Sequence, residues 1–262
     1  MRPSQALRCL PLLLLAGGCA SASSAPAPQA APLAAGAHAR ATTADADPAA
    51  RALAEATVAR MGGWEAWDST RYLHWTFFGR REHWWDKQTN DVRIDGGEVL
   101  VLMNLDTKQG RAFRNGVEVT DEAERQKLLD TGYAWWVNDS YWLVMPYKLL
   151  DPGVTLRDKG AGQLPDGRPA HVLELTFDHV GLTPQNRYEV YVCDATKLVE
   201  RWAYYKDAAD AEPGMETEWS GWQPFGHIWL ATGRGEGRSL DISVPDELPR
   251  ALFTSPDKPA GA

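Results

Sequence analysis

From Arg71 onward the chain is dominated by short segments in which apolar and polar residues alternate. Alternation with a period of two places every second side chain on one face of a β-strand, so these segments predict antiparallel strands. Turn signals at Gly79, Gly96-Gly97 and Asn115-Gly116 separate the early ones. The predicted strands are RYLHWTFFG, REHWWD, DVRID, EVLVLMNLD, GRAFRN and VEVT, and then GVTLRDKG, PAHVLELTF, RYEVYV, LVERWAYY, ETEWSGW, HIWLATG and RSLDISV.

A change of period predicts two helical regions. The first begins at Asp47-Pro48, a capping residue followed by proline at the first helical position, and ends at Gly62-Gly63. A short turn containing Trp64 and Trp67 follows it. Within the helix, residues three or four positions apart share one face. One such face contains Leu53, Thr57, Val58 and Met61.

The second helical region begins at Asp121. Acidic residues follow in its first turn, where the positive end of the helix dipole stabilises them. It continues into the Trp-rich segment, residues 133–154, with the sequence YAWWVNDSYWLVMPYKLLDPGV. Asn138-Asp139-Ser140 offers a break and a new cap, and Pro146 opposes a long helix. We therefore expect two or three short helices here.

Roughly a dozen strands and two helical regions predict a mainly β, α+β domain built around a curved antiparallel sheet. Such a sheet has an apolar concave face, and only the helical regions are available to cover it. We expect the Trp-rich segment to form that cover. A filled core and an open ligand cavity produce the same sequence pattern, so both remain open at this point.

Processing signals predict three parts in the chain. Residues 1–18 resemble a bacterial signal peptide, and Leu15-Ala16-Gly17-Gly18-Cys19 resembles a lipobox, which predicts a lipidated Cys19. The alternative is ordinary cleavage near Ala20 or Ala22. Residues 19–46, rich in Ala, Pro and Ser, predict a tether. Residues 47–262 then form a single domain, and Ala20 after the cysteine favours the outer membrane facing the periplasm.

The charge of the chain disfavours one class of binding partner. The formal net charge is -8, and loss of the signal peptide leaves 25 basic residues against 35 acidic ones, which disfavours binding to nucleic acid.

The cysteine content excludes a disulfide framework. Once Cys9 is removed and Cys19 is acylated, Cys193 is the remaining cysteine, so it has no partner for a disulfide within the chain. We interpret Cys193 as a buried residue at a strand end.

The sequence offers no catalytic or metal-binding motif, and we expect no enzyme activity, no metal and no cofactor. The histidines are scattered, and His83 and Asp86 should point to opposite faces of one strand. The glycine-rich GRGEGR, residues 233–238, lacks the ending of a phosphate loop and predicts a turn between two strands.

The order of aromatic patches resembles the outer-membrane lipoprotein-sorting proteins of the LolA/LolB-like lipoprotein carrier superfamily. The patches are GGWEAWDSTRYLHWTFFG, YAWWVNDSYWLVMPYKLLDPGVTL, RYEVYVCDATKLVERWAYY and GWQPFGHIWLATG. The resemblance implies an unclosed half-barrel with helices over its concave face and an apolar cavity for acyl chains. Carriers of this type use a basic residue near the lid, but no position here matches it.

Three hypotheses follow. The first is a membrane-anchored binding protein that holds an acyl chain, lipid or lipoprotein, with a possible place in lipid or lipoprotein trafficking. The second is a structural or interaction lipoprotein with a filled core. The third is an envelope hydrolase or metalloenzyme, which would show a cleft that pairs His with Asp or Glu. For the first, we predict that six residues line the cavity, each with a plain core role as the alternative: Trp135, Trp136, Trp142, Met145, Trp75 and Phe77.

Overall fold

The computed structural model describes residues 44–259. The predicted signal peptide, Cys19 and most of the tether lie outside these residues. The helices are α1 (Pro48–Arg60), α2 (Gly63–Ser69) and α3 (Glu122–Val144), with 3₁₀ helices at Met145–Lys148 and Arg250–Phe253. The strands are β1 (Asp45–Ala46), β2 (Tyr72–Phe77), β3 (Arg81–Asp86), β4 (Asp91–Asp95), β5 (Val99–Asn104), β6 (Gly110–Arg114), β7 (Val117–Glu118), β8 (Val154–Gln163), β9 (Pro169–Phe177), β10 (Arg187–Cys193), β11 (Val199–Tyr205), β12 (Met215–Glu218), β13 (Ser220–Phe225), β14 (Ile228–Gly233) and β15 (Leu240–Ser243).

The strands form two large curved sheets and a hairpin between them. One sheet has the order β15-β2-β3-β4-β5-β6-β7, the other β1-β8-β9-β10-β11-β12, and β13 pairs with β14. All neighbours are antiparallel except β1, which is parallel to β8. None of these sheets closes into a barrel, so the predicted mainly β fold with curved antiparallel sheets is confirmed.

Two local contacts join the sheets into one series. Only Trp219 separates β12 from β13, and its backbone N–H donates to the Glu200 carbonyl at 2.9 Å. On the other side, an isolated antiparallel bridge pairs Gly233 with Ser239, just before β15. The hairpin therefore continues the curvature from one large sheet to the next.

The first helix begins and ends as predicted. The Asp47 side chain accepts a hydrogen bond from Ala50 N at 2.8 Å, and Pro48 occupies the first helical position. The turn predicted around Trp64 and Trp67 is instead the short helix α2. Ahead of this helix, Ala44 is buried and β1 pairs with β8.

The prediction of two or three short helices after Asp121 is wrong. The Asp121 carboxylate caps α3 by accepting from Glu124 N, but the helix then continues without a break for 23 residues. Asn138-Asp139-Ser140 lies inside it, because the Asp139 carboxylate bonds to side chains of β3 and not to its own backbone. Pro146 sits in the first turn of the following 3₁₀ helix, where it removes no helical hydrogen bond.

The large apolar core lies between α3 and the inner faces of both sheets. The helix approaches β5 closely, since a Cβ added to Gly132 would lie 2.8 Å from a Val101 methyl carbon. Glycine at this point lets the helix backbone reach the sheet. Along β2, Leu73, Trp75 and Phe77 face the helix, which is the alternation that the sequence predicts.

The C-terminal residues cover part of the opposite, convex face. Leu252 and Phe253 pack with Tyr72 and Trp84 in a small second core. Arg93, almost fully buried, donates to the carbonyls of Ser255 and Pro256, each at 2.9 Å. Burial lowers the pKa of Arg93, so its charge is held here by carbonyl oxygens.

We predict that Arg93→Met destabilises the domain by about 1–3 kcal/mol, because it leaves the Ser255 and Pro256 carbonyls without a donor. Urea unfolding measures the change. The matched control is Arg80→Met, at an exposed turn position, which should leave the midpoint unchanged. Equal midpoints for wild type and Arg93→Met would contradict the role given to this contact.

Candidate functional site

Five of the six predicted cavity residues are brought together in the interior. Trp136, Trp142 and Met145 from the helical region and Trp75 and Phe77 from β2 are between 0 and 3% exposed and belong to one apolar core. The sequence therefore located the covering segment and the strand face that it covers. No observation on the described residues tests whether they contact a ligand.

Trp135 differs from the other five. It is half-buried and points toward the turn between β4 and β5, where a Cβ on Gly96 would lie 2.8 Å from its ring. The Arg81 guanidinium carbon stands 5.4 Å from the centre of the same ring. Trp135 is thus at the rim of the interface between α3 and the sheet.

Trp142 connects the two large sheets. Its ring centre lies 6.2 Å from that of Phe77 on β2 and 4.9 Å from that of Trp202 on β11, both in edge-on geometry. Phe78, at the turn after β2, also meets it edge-on at 5.4 Å. Aromatic pairs in this arrangement contribute beyond their buried area.

Further rings extend this contact into a compact group, which we call the aromatic cluster. Trp202 lies within 6 Å, centre to centre, of each of the other four rings. All five side chains are almost fully buried. The aromatic cluster consists of Tyr141, Trp142, Tyr188, Trp202 and Trp219.

Several polar atoms of this interior have no partner among the described residues. They are the indole nitrogens of Trp75, Trp136, Trp142, Trp202 and Trp219 and the hydroxyl of Tyr141. An unsatisfied buried donor costs about 1–3 kcal/mol, and native interiors contain few of them. Elsewhere the chain does supply acceptors, since Trp222 Nε1 donates to the Val199 carbonyl at 2.8 Å. The six unpaired groups named here lie on α3, on β2 and in the aromatic cluster.

Arg234 is a residue of this interior that the sequence pattern did not indicate. It lies in the predicted GRGEGR turn, yet its side chain is fully buried, with its guanidinium carbon 3.8 Å from the centre of the Trp219 ring. Its Nε donates to the Trp142 carbonyl at 3.1 Å and its Nη1 to the Ala231 carbonyl at 3.0 Å. Burial lowers the pKa of Arg234 to about 9.

The position of Arg234 has a physical reason in α3. The last turn of that helix contains no basic residue, and its terminal carbonyls carry the negative end of the helix dipole. Arg234 brings a positive charge to the Trp142 carbonyl from 92 residues away. Among residues 44–259 no carboxylate forms an ion pair with it, so carbonyls and the Trp219 ring hold this charge.

A second buried polar group attaches the middle of α3 to β3. Arg81 binds the Asp139 carboxylate with two hydrogen bonds of 2.6 and 2.8 Å, and His83 Nε2 lies 2.7 Å from Asp139 Oδ2. An ionised carboxylate only accepts, so His83 Nε2 carries the proton. Burial opposes ionisation of Asp139, but the bonds from Arg81 and His83 outweigh it and lower its pKa below 3.8.

The enzyme hypothesis predicted a cleft that pairs His with an acid. His83 and Asp139 are both fully buried, and Asp86 points to the other face and binds Arg71, as the strand pattern predicts. His171 Nδ1 lies 2.7 Å from Asp194 beside a surface groove of about 310 Å³. The groove is lined by Ala49, Ala52, Leu53, Ala56, Asp158, His171 and Lys197, a set without a serine, threonine or cysteine nucleophile.

The described part of the chain was expected to hold no metal and no membrane-spanning helix. Within residues 44–259, no group of three His, Cys, Asp or Glu side chains is placed to hold a metal ion. In the same range, no helix combines the length and apolar character needed to cross a membrane, α3 included. Cys193 is buried at the end of β10, as expected.

No protein-family model and no curated protein matches the sequence. Among solved structures, a DUF1329 family protein from Desulfovibrio piger is similar, with 14% identity over 79% of this chain and 97% of that chain and a TM-score of 0.42. A domain of Vibrio parahaemolyticus named for outer membrane lipoprotein sorting shares 10% identity over 77% and 94%, with a TM-score of 0.38. The MucA/MucB complex of Pseudomonas aeruginosa shares 15% over 69% and 64%, with a TM-score of 0.25. All three TM-scores are low, so these likenesses carry no argument about what this chain binds.

We predict that Asp139→Asn lowers the free energy of unfolding at pH 7 by about 3–5 kcal/mol, because Arg81 loses its buried counter-charge. The pKa of Asp139 is lowered in the folded state, so its contribution is present above the ordinary value of 3.8 and is lost as the pH falls through the folded value. The difference between wild type and variant should therefore shrink below about pH 4.

Urea unfolding at a series of pH values tests this expectation. Asp130→Asn serves as the control, because Asp130 is exposed on the same helix. A wild-type advantage that stays constant from pH 7 into the acid range would show that the Asp139 carboxylate is not the stabilising group.

Proposed function

We propose that this protein is a cell-envelope lipoprotein that binds an acyl chain between α3 and the concave face of its unclosed sheet. The observation that carries the proposal is the covering of that face by the buried C-terminal half of one helix. Apolar packing holds this half against the sheets, and Arg81, His83 and Arg234 add polar contacts to it. The proposal requires that the helix move away from the sheet when an acyl chain enters.

The chemistry of the interface favours an acyl chain over other ligands. Its walls are aromatic and aliphatic side chains from both sheets and the helix. Each buried methylene of a chain contributes about 0.8 kcal/mol, so partial burial of a C16 chain suffices after ordering costs. The resemblance of the aromatic patches to LolA/LolB-like lipoprotein carriers favours the same ligand class. The proposed role is binding without catalysis, in the trafficking of lipids or lipoproteins.

The proposed location is the outer membrane, facing the periplasm. A lipidated Cys19 followed by a tether of residues 20–43 would hold the domain near the membrane surface. The net charge of -8 disfavours an electrostatic hold on anionic lipid, so the anchor would be the acyl chains of Cys19.

A second function is favoured by a specific observation. The rings of the aromatic cluster pack at centre distances of 4.9 to 5.8 Å, and Arg234 fills the space beside Trp219. Such packing also suits a permanently filled core, in which case the protein would be a structural or interaction lipoprotein without a ligand. The two functions differ in whether added lipid stabilises the fold.

Palmitate or phospholipid should raise the melting temperature of the chain, because a ligand that binds only the folded state stabilises it by mass action. The chain would carry Cys19→Ser, so that no acyl chain of its own competes, and would be purified without detergent. Native mass spectrometry then identifies any bound species. An unchanged melting temperature together with a ligand-free mass would favour the filled-core function.

An engineered disulfide between α3 and β5 tests whether the ligand enters between these two elements. The Cβ atom of a residue at position 132 would lie 3.0 Å from Val101 Cβ, about half an ångström short of disulfide geometry. We expect the double variant Gly132→Cys and Val101→Cys to lose lipid uptake when oxidised and to regain it when reduced. The controls are the reduced double variant and the single variant Val101→Cys, neither of which has this bridge. Uptake by the oxidised protein would place the ligand elsewhere.

A further inference from the structure

We propose that the aromatic cluster is the polar end of the acyl site, where the indole N–H groups of Trp142, Trp202 and Trp219 receive the carbonyl or carboxylate oxygen of an acyl ligand. This inference rests on the proposed function and adds the ligand's head-group chemistry to it. All candidate ligands share an oxygen atom that accepts hydrogen bonds at the end of an apolar chain.

The first support is the chemistry of the unpaired atoms. An indole nitrogen is a donor only, so Trp142, Trp202 and Trp219 together present three donors that find no acceptor in the described chain. All three side chains are at most 1% exposed. A ligand group that supplies only acceptors would satisfy them, whereas a group that supplies donors would not.

The second support is their arrangement. Trp202 lies at the centre, with its ring 4.9 Å from that of Trp142 and 5.7 Å from that of Trp219. The three rings come from α3, from β11 and from the junction of β12 and β13, so three elements meet at Trp202. An oxygen-bearing group placed beside Trp202 would therefore be next to side chains of all three elements.

The third support is the charge beside the cluster. The Arg234 guanidinium stacks on Trp219, and its hydrogen bonds go to carbonyl oxygens of Trp142, Ala231 and Gly233. Its positive charge has no carboxylate partner within residues 44–259, so an anionic or strongly polarised oxygen is favoured nearby. A cationic head group would be repelled.

Unpaired indole N–H groups also occur at Trp75 and Trp136, but two other tryptophans near these rings donate to acceptors of the chain itself. Trp85 Nε1 donates to Asn90 Oδ1 at 3.3 Å, and Trp222 Nε1 donates to the Val199 carbonyl at 2.8 Å. Trp85 packs against Trp136 of α3, and Trp222 lies next to Trp219 of the cluster. The indole N–H of each has an acceptor within the chain. Trp222 therefore provides a matched control for a Trp→Phe substitution, with its ring 6.2 Å from that of Trp219.

The test uses the full chain with Cys19→Ser and four C12 probes: dodecane, dodecyltrimethylammonium, methyl laurate and laurate. Affinities are measured by displacement of one apolar fluorescent probe. We expect methyl laurate and laurate to bind about tenfold more tightly than dodecane, and the ammonium probe to bind most weakly. Laurate tighter than its methyl ester would indicate a free fatty acid as the ligand, and equal affinities an ester or amide lipid.

Trp→Phe substitutions distinguish the contribution of the indole N–H donor from that of the aromatic ring. Trp202→Phe keeps an aromatic ring but removes one donor, so it should weaken methyl laurate binding about fivefold to tenfold and leave dodecane binding nearly unchanged. Trp222→Phe should leave both affinities unchanged while lowering the melting temperature. Trp219→Phe, which removes a different donor, repeats the measurement if Trp202→Phe does not fold.

Two outcomes overturn the inference, and they are distinguishable. If dodecane binds as tightly as methyl laurate, or if Trp202→Phe and Trp219→Phe weaken both probes equally, head-group recognition is wrong while the proposed acyl site stands. If none of the four probes binds, the proposed function fails and the inference fails with it.

Discussion

Removal of one apolar sheet face from water is the constraint on which the other contacts depend. Strands with alternating residues produce a curved sheet series with a concave apolar face, and the series does not close on itself. Since no second layer of sheet covers that face, a helix must do so. The 23 residues of α3 supply the cover, and residues 136–144 of its C-terminal half are all buried.

A helix whose C-terminal half is buried has polar groups there that must be satisfied away from water. The Asp121 carboxylate does this locally at the N-terminus, where the helix is exposed. At the buried end, Arg234 reaches the Trp142 carbonyl from a distant turn, and in the middle Arg81 and His83 hold Asp139. These polar contacts fix the position of the helix within the apolar core that surrounds its C-terminal half.

Tryptophan serves two purposes in this arrangement. Its ring fills the wide gap between helix and sheet, as the edge-on contacts of Trp142 with Phe77 and Trp202 show. Its indole N–H also brings a donor into the interior, and several of these donors lack an acceptor in the described chain. A core built only for stability would use leucine or phenylalanine at such positions, because they carry no polar atom. The proposed acyl site gives these donors a partner.

The sequence by itself determined the parts of the structure that depend on neighbouring residues. Alternation identified the strands, Asp47-Pro48 and Asp121 marked two helix starts, and glycine turns such as Asn115-Gly116 marked strand ends. It also placed Trp142 and Phe77 on surfaces that face each other, because a concave sheet face needs a cover. It predicted a helix break at Asn138-Asp139-Ser140, since these residues cap helices when only local partners are considered.

Only the tertiary structure decided where those polar groups and the distant charges go. Asp139 stays inside α3 because Arg81 and His83, 58 and 56 residues away, bind its carboxylate more strongly than a local cap would. Arg234, in a turn that looked ordinary, is buried because the end of α3 has no basic residue of its own. Long-range pairing of this kind leaves no periodic signal along the chain, since it depends on how the two sheets and α3 meet in space.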